Sequence, residues 1–284
     1  MKFLIIGDLH GNKPQIHFKD FDAVIAPGDF CSDALRKHMF EAVKQSLDQK
    51  KTVWWYDLIG HEKAKEYAEQ SISDGKKILE FLDSIGKPVY AVPGNWDWTA
   101  AKDGTWDFLK TDHYSQMLKG LKNVVDVHHK LVDAGEFQFI GHGVISGPEY
   151  PQYDDVKMYT EKELKEKKES YEKTKNKLAG LFAKAKKPVI FMPHNVPFNT
   201  PIDMITNKES PRFGQHFGSL IARELVDKYQ PLVCVGGHMH EHFTKCMLGK
   251  TTCINAGFGS FVNVLLEVEG DKIKRLEFWN GKAS

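Results

Sequence analysis

The segment KFLIIGDLHG, residues 2–11, decides the fold of this 284-residue chain. Its apolar run, residues 2–6, stops at a glycine and is followed at once by Asp8 and His10. A run of this length that ends at glycine is typical of a buried β-strand leading into a tight turn. The segment therefore predicts a strand whose end carries two polar side chains.

Four further apolar runs end in the same way, at a turn that carries a polar side chain. They span residues 22–26, 88–92, 188–192 and 231–235, and they lead into Asp29, Asn95, His194, His238 and His240. In open α/β sheets, ligands commonly gather beyond the carboxyl ends of the strands. We therefore expect these side chains to lie together at one edge of the fold.

The intervening segments predict an α/β fold of two mixed β-sheets in a sandwich flanked by helices, formed by a single domain over residues 1–284. Helical patterns cover about residues 33–49, 61–84 and 217–229. Four later segments resemble strands of a meander, with a hairpin turn at residues 269–271 between the last two. These strands are predicted at residues 137–140, 251–254, 261–268 and 272–278.

A segment dense in Lys and Glu lies near residues 160–187. Thr160 and Glu163 have the spacing of a capping box, and Lys-Glu pairs four apart support an exposed helix. Such a helix could be a basic arm over a phosphate substrate, but its composition favours a solvated helix face.

The overall composition argues against several classes of protein. Lys plus Arg number 39 and Asp plus Glu number 38, so no global charge draws the chain to nucleic acid or to an anionic membrane. The apolar run at the N-terminus is too short for a signal peptide, which predicts a cytoplasmic protein without a membrane segment. The four cysteines form no CxxC pair, and Cys234 is expected to be a buried free thiol.

The polar side chains at the strand ends form a set suited to transition metals. Carboxylates, one amide and several imidazoles suit Mn, Fe, Zn or Co better than calcium. A single Asp-x-His triplet or the pair His238-x-His240 is weak or moderate evidence by itself. The joint occurrence of five elements, in order and each at a strand end, is strong evidence for a metal site.

The ordered motifs GDLHG, GD, GNWD, H and GHMH resemble those of the calcineurin-like metallophosphoesterase superfamily. The match spans residues 7–241, and the turn at residues 255–257 is similar to that of the small bacterial and archaeal branch. The resemblance implies a four-layer fold that holds two divalent transition-metal ions, with Asp29 bridging the two ions. The ligands of one ion would be Asp8, His10, Asp29 and His240, and those of the other Asp29, Asn95, His194 and His238.

The same resemblance implies that the chain hydrolyses a phosphate ester by in-line attack of a hydroxide that bridges the metals. Manganese is one of the metals that such a site would accept. The chain departs from the family at Trp96, where relatives carry a histidine that can protonate the leaving group. Indole cannot act as an acid at neutral pH, and small relatives with cysteine at this position resemble phosphodiesterases. A phosphodiester is therefore the preferred substrate.

Two residues are candidates for the remaining catalytic work. In relatives, the aspartate at the position of Asp97 orients the histidine that this chain lacks. For Asp97 itself, an N-cap for the segment from Trp98 is favoured over a catalytic role. His142 lies between two glycines after an apolar run and is the first choice for a replacement acid, with a structural histidine as the alternative. His61, His113, His128 and His129 are interpreted as surface or helix residues.

Three other functions compete with a phosphoesterase that has a small phosphate-ester substrate. A catalytically weak metal-binding scaffold for protein contacts would explain Trp96, but retention of all seven ligands argues against it. A nuclease is disfavoured by the neutral net charge and the lack of an evident basic-aromatic groove. A Rossmann nucleotide-binding protein is excluded because no GxGxxG follows the first strand.

Overall fold

The protein contains two six-stranded β-sheets, and the computed structural model describes residues 1–49, 51–101 and 104–281. The strands are β1 (Lys2–Ile5), β2 (Ala23–Ala26), β3 (Val89–Ala91), β4 (Val124–Asp126), β5 (Leu131–Ala134), β6 (Phe137–His142), β7 (Val189–Pro193), β8 (Val233–Gly236), β9 (Thr244–Leu248), β10 (Thr251–Asn255), β11 (Val262–Glu269) and β12 (Lys272–Asn280). The helices are α1 (Arg36–Gln49), α2 (Trp55–Ile59), α3 (His61–Asp83), α4 (His113–Met117), α5 (Glu161–Phe182) and α6 (Leu220–Tyr229). Two short 3₁₀ helices cover Asp107–Lys110 and Tyr153–Met158.

Each sheet contains four parallel strands, with antiparallel strands at one edge of the first sheet and at both edges of the second. The first has the order β12-β11-β1-β2-β3-β4, and the second has the order β5-β6-β7-β8-β10-β9. Strands β1 to β4 run parallel to one another, as do β6, β7, β8 and β10. The carboxyl ends of each parallel set therefore share one edge of their sheet, where the polar side chains follow.

The two sheets pack face to face through large apolar side chains. The ring of Phe3 in β1 contacts Phe137 and Phe139 in β6 edge-on, with centroids 6.1 and 5.8 Å apart, and Tyr90 stacks on Phe139 at 4.1 Å. Aromatic pairs of this geometry add to the stabilisation that burial provides. Alternate residues of β1 point to the opposite face, so Leu4 is also buried, and the strand is apolar throughout.

Helices cover the outer face of each sheet and complete four layers. On the first sheet, α3 packs Leu79 and Leu82 against Leu4. On the second sheet, α5 and α6 pack Leu178 and Leu225 against the outward residues of β6 and β7. The predicted sandwich with flanking helices is thus confirmed.

The meander expected for the later strands is wrong. Strands β11 and β12 pair with each other and with β1 in the first sheet, whereas β6 and β10 lie in the second sheet beside parallel strands. A strand that is buried on both faces carries no local signal of which neighbour it pairs with. The predicted hairpin between β11 and β12 is confirmed, with Gly270 in the left-handed region at φ 57°.

The charged segment forms α5, and its sequence features are confirmed. The Thr160 hydroxyl accepts a hydrogen bond from the Glu163 N–H, and the Glu163 carboxylate accepts one from the Thr160 N–H, which completes the capping box. Lys162 pairs with Glu166 and Lys168 with Glu172 on the outer side. This outer side is therefore a solvated helix face. None of the described helices is long and apolar enough to span a membrane.

Candidate metal centre

The seven predicted ligands converge where the carboxyl ends of β1, β2 and β3 meet those of β7 and β8. Three of them, His10, Asp29 and His238, have positive φ values of 45°, 57° and 64°. A non-glycine residue in this left-handed region costs about 1–2 kcal/mol, and such strain concentrates at functional sites. The turns are therefore shaped to bring side chains together at the expense of local stability.

Four of these side chains form a first group that could hold a metal ion. The ligand atoms of Asp8, His10, Asp29 and His240 all lie within 4.8 Å of one another. His240 Nε2 lies 3.2 Å from an Asp8 oxygen and 3.3 Å from His10 Nε2. Two oxygens and two imidazole nitrogens at these separations could surround one cation.

A second group shares Asp29 with the first. Asp29, His194 and His238 also present ligand atoms within 4.8 Å of one another. Asn95 completes the group, because its Oδ1 lies 3.0 Å from His194 Nε2 and 2.9 Å from His238 Nδ1. The other nitrogen of His194, Nδ1, lies 2.8 Å from the Pro27 carbonyl, which leaves Nε2 free to face the group.

Asp29 Oδ2 lies between the two groups. It is 3.4 Å from His10 Nε2 and 3.5 Å from His194 Nε2. This oxygen is buried and has no hydrogen-bond partner, and the same holds for Asp8 Oδ1. A buried, unpartnered carboxylate oxygen carries a large desolvation cost unless a cation compensates for it. The donor set and these two oxygens therefore fit divalent metal ions.

The protonation of the cluster also indicates a need for positive charge. Burial disfavours the charged form of His194, but the Asp29 carboxylate raises the pKa of His194 to about 9. Burial would raise the pKa of Asp29, but His194 and His10 hold it well below its usual value. Burial lowers the pKa of His238 to about 4. A bound cation would offset the same carboxylate charge that raises the pKa of His194.

Two glycines are required for the close approach of these turns. A Cβ at Gly94 would lie 2.1 Å from Asp29 Oδ1, and a Cβ at Gly237 would lie 2.3 Å from Asp8 Oδ1. Both contacts are far inside van der Waals distance, so any side chain there would displace a candidate ligand. The glycines of the GN and GH motifs are thus explained by packing against the carboxylates.

Asp97 does not cap the segment from Trp98, and that prediction is wrong because the segment is not helical. The Asp97 carboxylate is buried and accepts hydrogen bonds from four backbone N–H groups. These belong to Asp29, Phe30, Cys31 and Gly94, at 2.7–2.9 Å. Asp97 thus joins the turn after β2 to the turn after β3. Both of its oxygens accept backbone N–H groups, one of which belongs to the shared residue Asp29.

His142 is not placed as expected for a replacement acid. It lies on the outer face of the second sheet, two residues after Ile140, and lines a cavity beneath α5 and α6. Its Nδ1 lies 3.1 Å from His129 Nε2, and its Nε2 lies 3.2 Å from Glu149 Oε1. Only its backbone carbonyl approaches a ligand, accepting a hydrogen bond from His194 N.

His128 and His129, interpreted above as surface or helix residues, lie in no helix and are only partly exposed. The two rings stack at 3.9 Å and are partly buried, and His142 beside them is buried. We call these three residues the second histidine cluster. Burial lowers the pKa of His128 to about 4, and burial with neighbouring His128 lowers that of His129 to about 2. Sequence reasoning missed this cluster because the HH pair follows a short strand without a glycine turn.

Sequence reasoning also missed two other neighbours of the metal centre. Phe258 stacks on the His240 ring with centroids 4.2 Å apart. Asp33 Oδ2 lies 3.9 Å from His10 Nδ1, the ring nitrogen on the side away from the ligand group. Trp96 donates its backbone N–H to Asp29 Oδ1, and its indole ring lies 6.1 Å from the ring of His10.

The chain also resembles known proteins, in its sequence and in its fold. The calcineurin-like phosphoesterase family model matches residues 1–242. One solved crystal structure aligns with 98% of this chain and 99% of its own, with a TM-score of 0.65 and 16% identity. The protein TT1561 of Thermus thermophilus aligns with 98% of both chains, with a TM-score of 0.51 and 15% identity. These two likenesses show the fold. No curated protein sequence matches this chain.

Proposed function

This chain belongs to the calcineurin-like phosphoesterase family, and on that premise we propose that it hydrolyses a phosphate ester, preferably a diester, with two divalent metal ions. The observation that carries the proposal is Asp29 Oδ2. It is buried, it has no hydrogen-bond partner, and it lies between His10 and His194 at 3.4 and 3.5 Å. A carboxylate oxygen shared by two groups of ligands suits a pair of metal ions.

The ligands would divide between the two ions around this shared residue. One ion would be held by Asp8, His10, Asp29 and His240, and the other by Asp29, Asn95, His194 and His238. When bound, the ions would lower the pKa of a water molecule toward neutrality and neutralise the charge that develops on the phosphoryl oxygens.

The side chains supply orientation. Pro27 fixes the ring of His194, and Phe258 supports that of His240. Asn95 is the amide of the set, and its side-chain N–H groups can donate to a phosphoryl oxygen. Rigid positioning of this kind is a large part of catalysis in phosphoryl transfer.

Trp96 supports the preference for a diester with a good leaving group. It lines the cavity at the metal centre in the position where relatives carry an acid, and an indole cannot protonate a departing alkoxide. Loss of a general acid costs about 10²–10⁴ in rate for leaving groups that need a proton. Leaving groups that depart as stable anions would be least affected.

The test is metal content together with turnover. Protein loaded with manganese should contain two metal ions per chain by elemental analysis and should hydrolyse bis(4-nitrophenyl) phosphate faster than 4-nitrophenyl phosphate. A metal-loaded protein that hydrolyses neither compound would contradict the proposal and favour a non-catalytic scaffold. Cleavage of single-stranded DNA in preference to both compounds would identify a nuclease instead.

A further inference from the structure

The cavity at the metal centre has one polar side and one apolar side. Its volume is about 530 Å³, and four of the proposed metal ligands line the polar side. Six apolar side chains line the other side, and we call them the apolar shelf. They are Met39, Phe40, Val43, Trp96, Phe217 and Met239. A substrate bound at the metal ions would therefore also contact this shelf.

Helix α1 presents part of the shelf to solvent. Phe40 is 67% exposed and Val43 is 57% exposed, and both lie on the same side of the helix because they are three residues apart. The opposite side of α1 buries Ala42 against Trp55 and Tyr56. The core therefore already holds the helix in place, and packing does not explain the exposed pair. Large exposed apolar groups beside a polar site often mark a surface that binds a ligand.

The charged side chains at the rim are already paired. Arg36 lies 2.9 Å from Asp33, and its guanidinium lies over the Trp96 ring at 5.9 Å. The Glu241 carboxylate accepts hydrogen bonds from the backbone N–H groups of Thr206 and Asn207. The shelf therefore offers contact area rather than a charge for a ligand to match.

We propose that the substrate carries an aromatic ring attached to the phosphate that binds the metal ions, and that this ring lies on the apolar shelf. The inference rests on the proposed function and specifies its substrate class. Continuity of the shelf with the metal centre identifies the substrate itself as the occupant. An aromatic ring suits the shelf because three of its six members are aromatic and two are methionines, whose sulfur atoms contact ring edges favourably. The cavity has room for a phosphate that carries an aromatic ring.

A binding measurement tests the inference without turnover. The P–C bonds of phenylphosphonate and methylphosphonate withstand phosphate-ester hydrolysis, and the two compounds differ only in the organic group. Calorimetric titration of the manganese-loaded protein should show about tenfold tighter binding of phenylphosphonate, the gain expected for burying one side of a ring. Phe40→Ala should reduce this ratio severalfold. Phe213→Ala is the matched control, since Phe213 is 53% exposed and does not line the cavity, and it should leave the ratio unchanged.

Three results would overturn the inference. Equal affinity for the two phosphonates, or a ratio that Phe40→Ala does not change, would mean that the shelf does not bind the ring. If octylphosphonate gained more affinity over methylphosphonate than phenylphosphonate does, and if Phe40→Ala removed that gain, the shelf would bind an alkyl chain and not an aromatic ring. A dimer that Phe40→Ala converts to a monomer, with the ratio unchanged, would make the shelf an interface between two copies.

Turnover then separates the inference from the proposed function. Methyl 4-nitrophenyl phosphate and phenyl 4-nitrophenyl phosphate share a leaving group and differ in whether the group that remains on the phosphate is aromatic. The phenyl ester should have the higher kcat/KM, and Phe40→Ala should reduce its advantage. A preference for phenylphosphonate in binding, without hydrolysis of either ester, would contradict the proposed function and leave the shelf in place.

Discussion

The metal centre and the second histidine cluster both gather imidazoles at strand ends, but their other partners differ. In the metal centre, the histidines His10, His194, His238 and His240 surround Asp8 and Asp29, which each keep a buried oxygen without a hydrogen-bond partner. In the second cluster, Lys177 Nζ lies 3.3 Å from His129 Nδ1, and Glu149 accepts at the other end. Because the Lys177 ammonium can only donate, His129 Nδ1 is the acceptor of that hydrogen bond. His129 therefore donates its Nε2–H to His142 Nδ1, and His142 donates its Nε2–H to Glu149.

The difference shows that a group of histidines is not by itself a metal site. Both ring nitrogens of His129 and of His142 already have partners, and the ammonium of Lys177 repels a cation. In the metal centre, two buried carboxylates attract one. The charges around the imidazoles, rather than their number, decide which cluster accepts a metal.

The largest expected effect separates the clusters by metal content. Asp29→Asn should release both ions and lower the rate of diester hydrolysis by more than about 10³, because the shared ligand loses its charge. His129→Gln, in the second cluster, should retain two ions per chain. Elemental analysis of both variants after manganese loading checks this prediction. Loss of metal from His129→Gln would mean that the second cluster also binds an ion.

Asp97→Asn should destabilise the metal centre without removing a ligand. Asparagine has one acceptor oxygen for the four N–H groups that Asp97 accepts, and the expected loss is about 2–4 kcal/mol in the free energy of unfolding. Urea denaturation of the metal-free protein measures it. Asp112→Asn is the control, since Asp112 caps α4 at the surface and asparagine caps equally well. Equal stability of the two variants would contradict the assigned role of Asp97.

The second histidine cluster should make stability depend on pH. The pKa values of His128 and His129 are lowered to about 4 and about 2 in the folded chain, so below pH 6.5 the unfolded chain binds protons that the folded chain does not. Stability is therefore full above pH 6.5 and falls as the pH decreases. The slope is at most about 1.4 kcal/mol per pH unit for each histidine, and less for the more solvent-screened His129.

Denaturation at pH 7 and pH 5 measures this effect. The double variant His128→Asn and His129→Gln keeps hydrogen-bonding groups near the same positions but does not titrate in this range. Between pH 7 and pH 5, the free energy of unfolding of the wild-type chain should fall by about 1–3 kcal/mol more than that of the variant. Both proteins contain the same metal centre, so its contribution cancels when the two losses of stability are compared. Parallel pH profiles would show that the cluster is not buried in the neutral form.

The smallest effect is expected for a histidine added to the metal centre. Trp96→His restores the residue found in relatives, but both oxygens of Asp97 already accept two backbone N–H groups each and are not free to orient a ring. The rate with poor leaving groups should therefore rise by less than about tenfold, well under the roughly 10²–10⁴ of a positioned acid. Rates with phenyl and 4-nitrophenyl leaving groups, measured at equal metal content, check this. A gain above a hundredfold would show that Asp97 reorients.

The local sequence was sufficient for nine of the twelve described strands and for the turns that carry the candidate ligands, but β4, β5 and β9 were not predicted. The apolar runs before Asp8, Asp29 and His194 give β1, β2 and β7, because a short apolar run that stops at glycine or proline is a local signal. The helix cap at Thr160 and the hairpin at Gly270 were predictable for the same reason. Strand pairing was not, since β6 and β11 have similar apolar patterns but lie in different sheets.

The sequence by itself determined which side chains stand at strand ends, and only the tertiary structure decided which way they face. In β7, Ile190 and Met192 point between the sheets, and His194 continues their alternation toward the metal centre. In β6, Ile140 points to the outer helices, and His142 continues that alternation away from it. The two-residue period of a strand fixes which residues share a face, but packing against distant segments decides which face is the site. Asp97 follows the same principle, because three of its four partners lie 66–68 residues earlier in the chain.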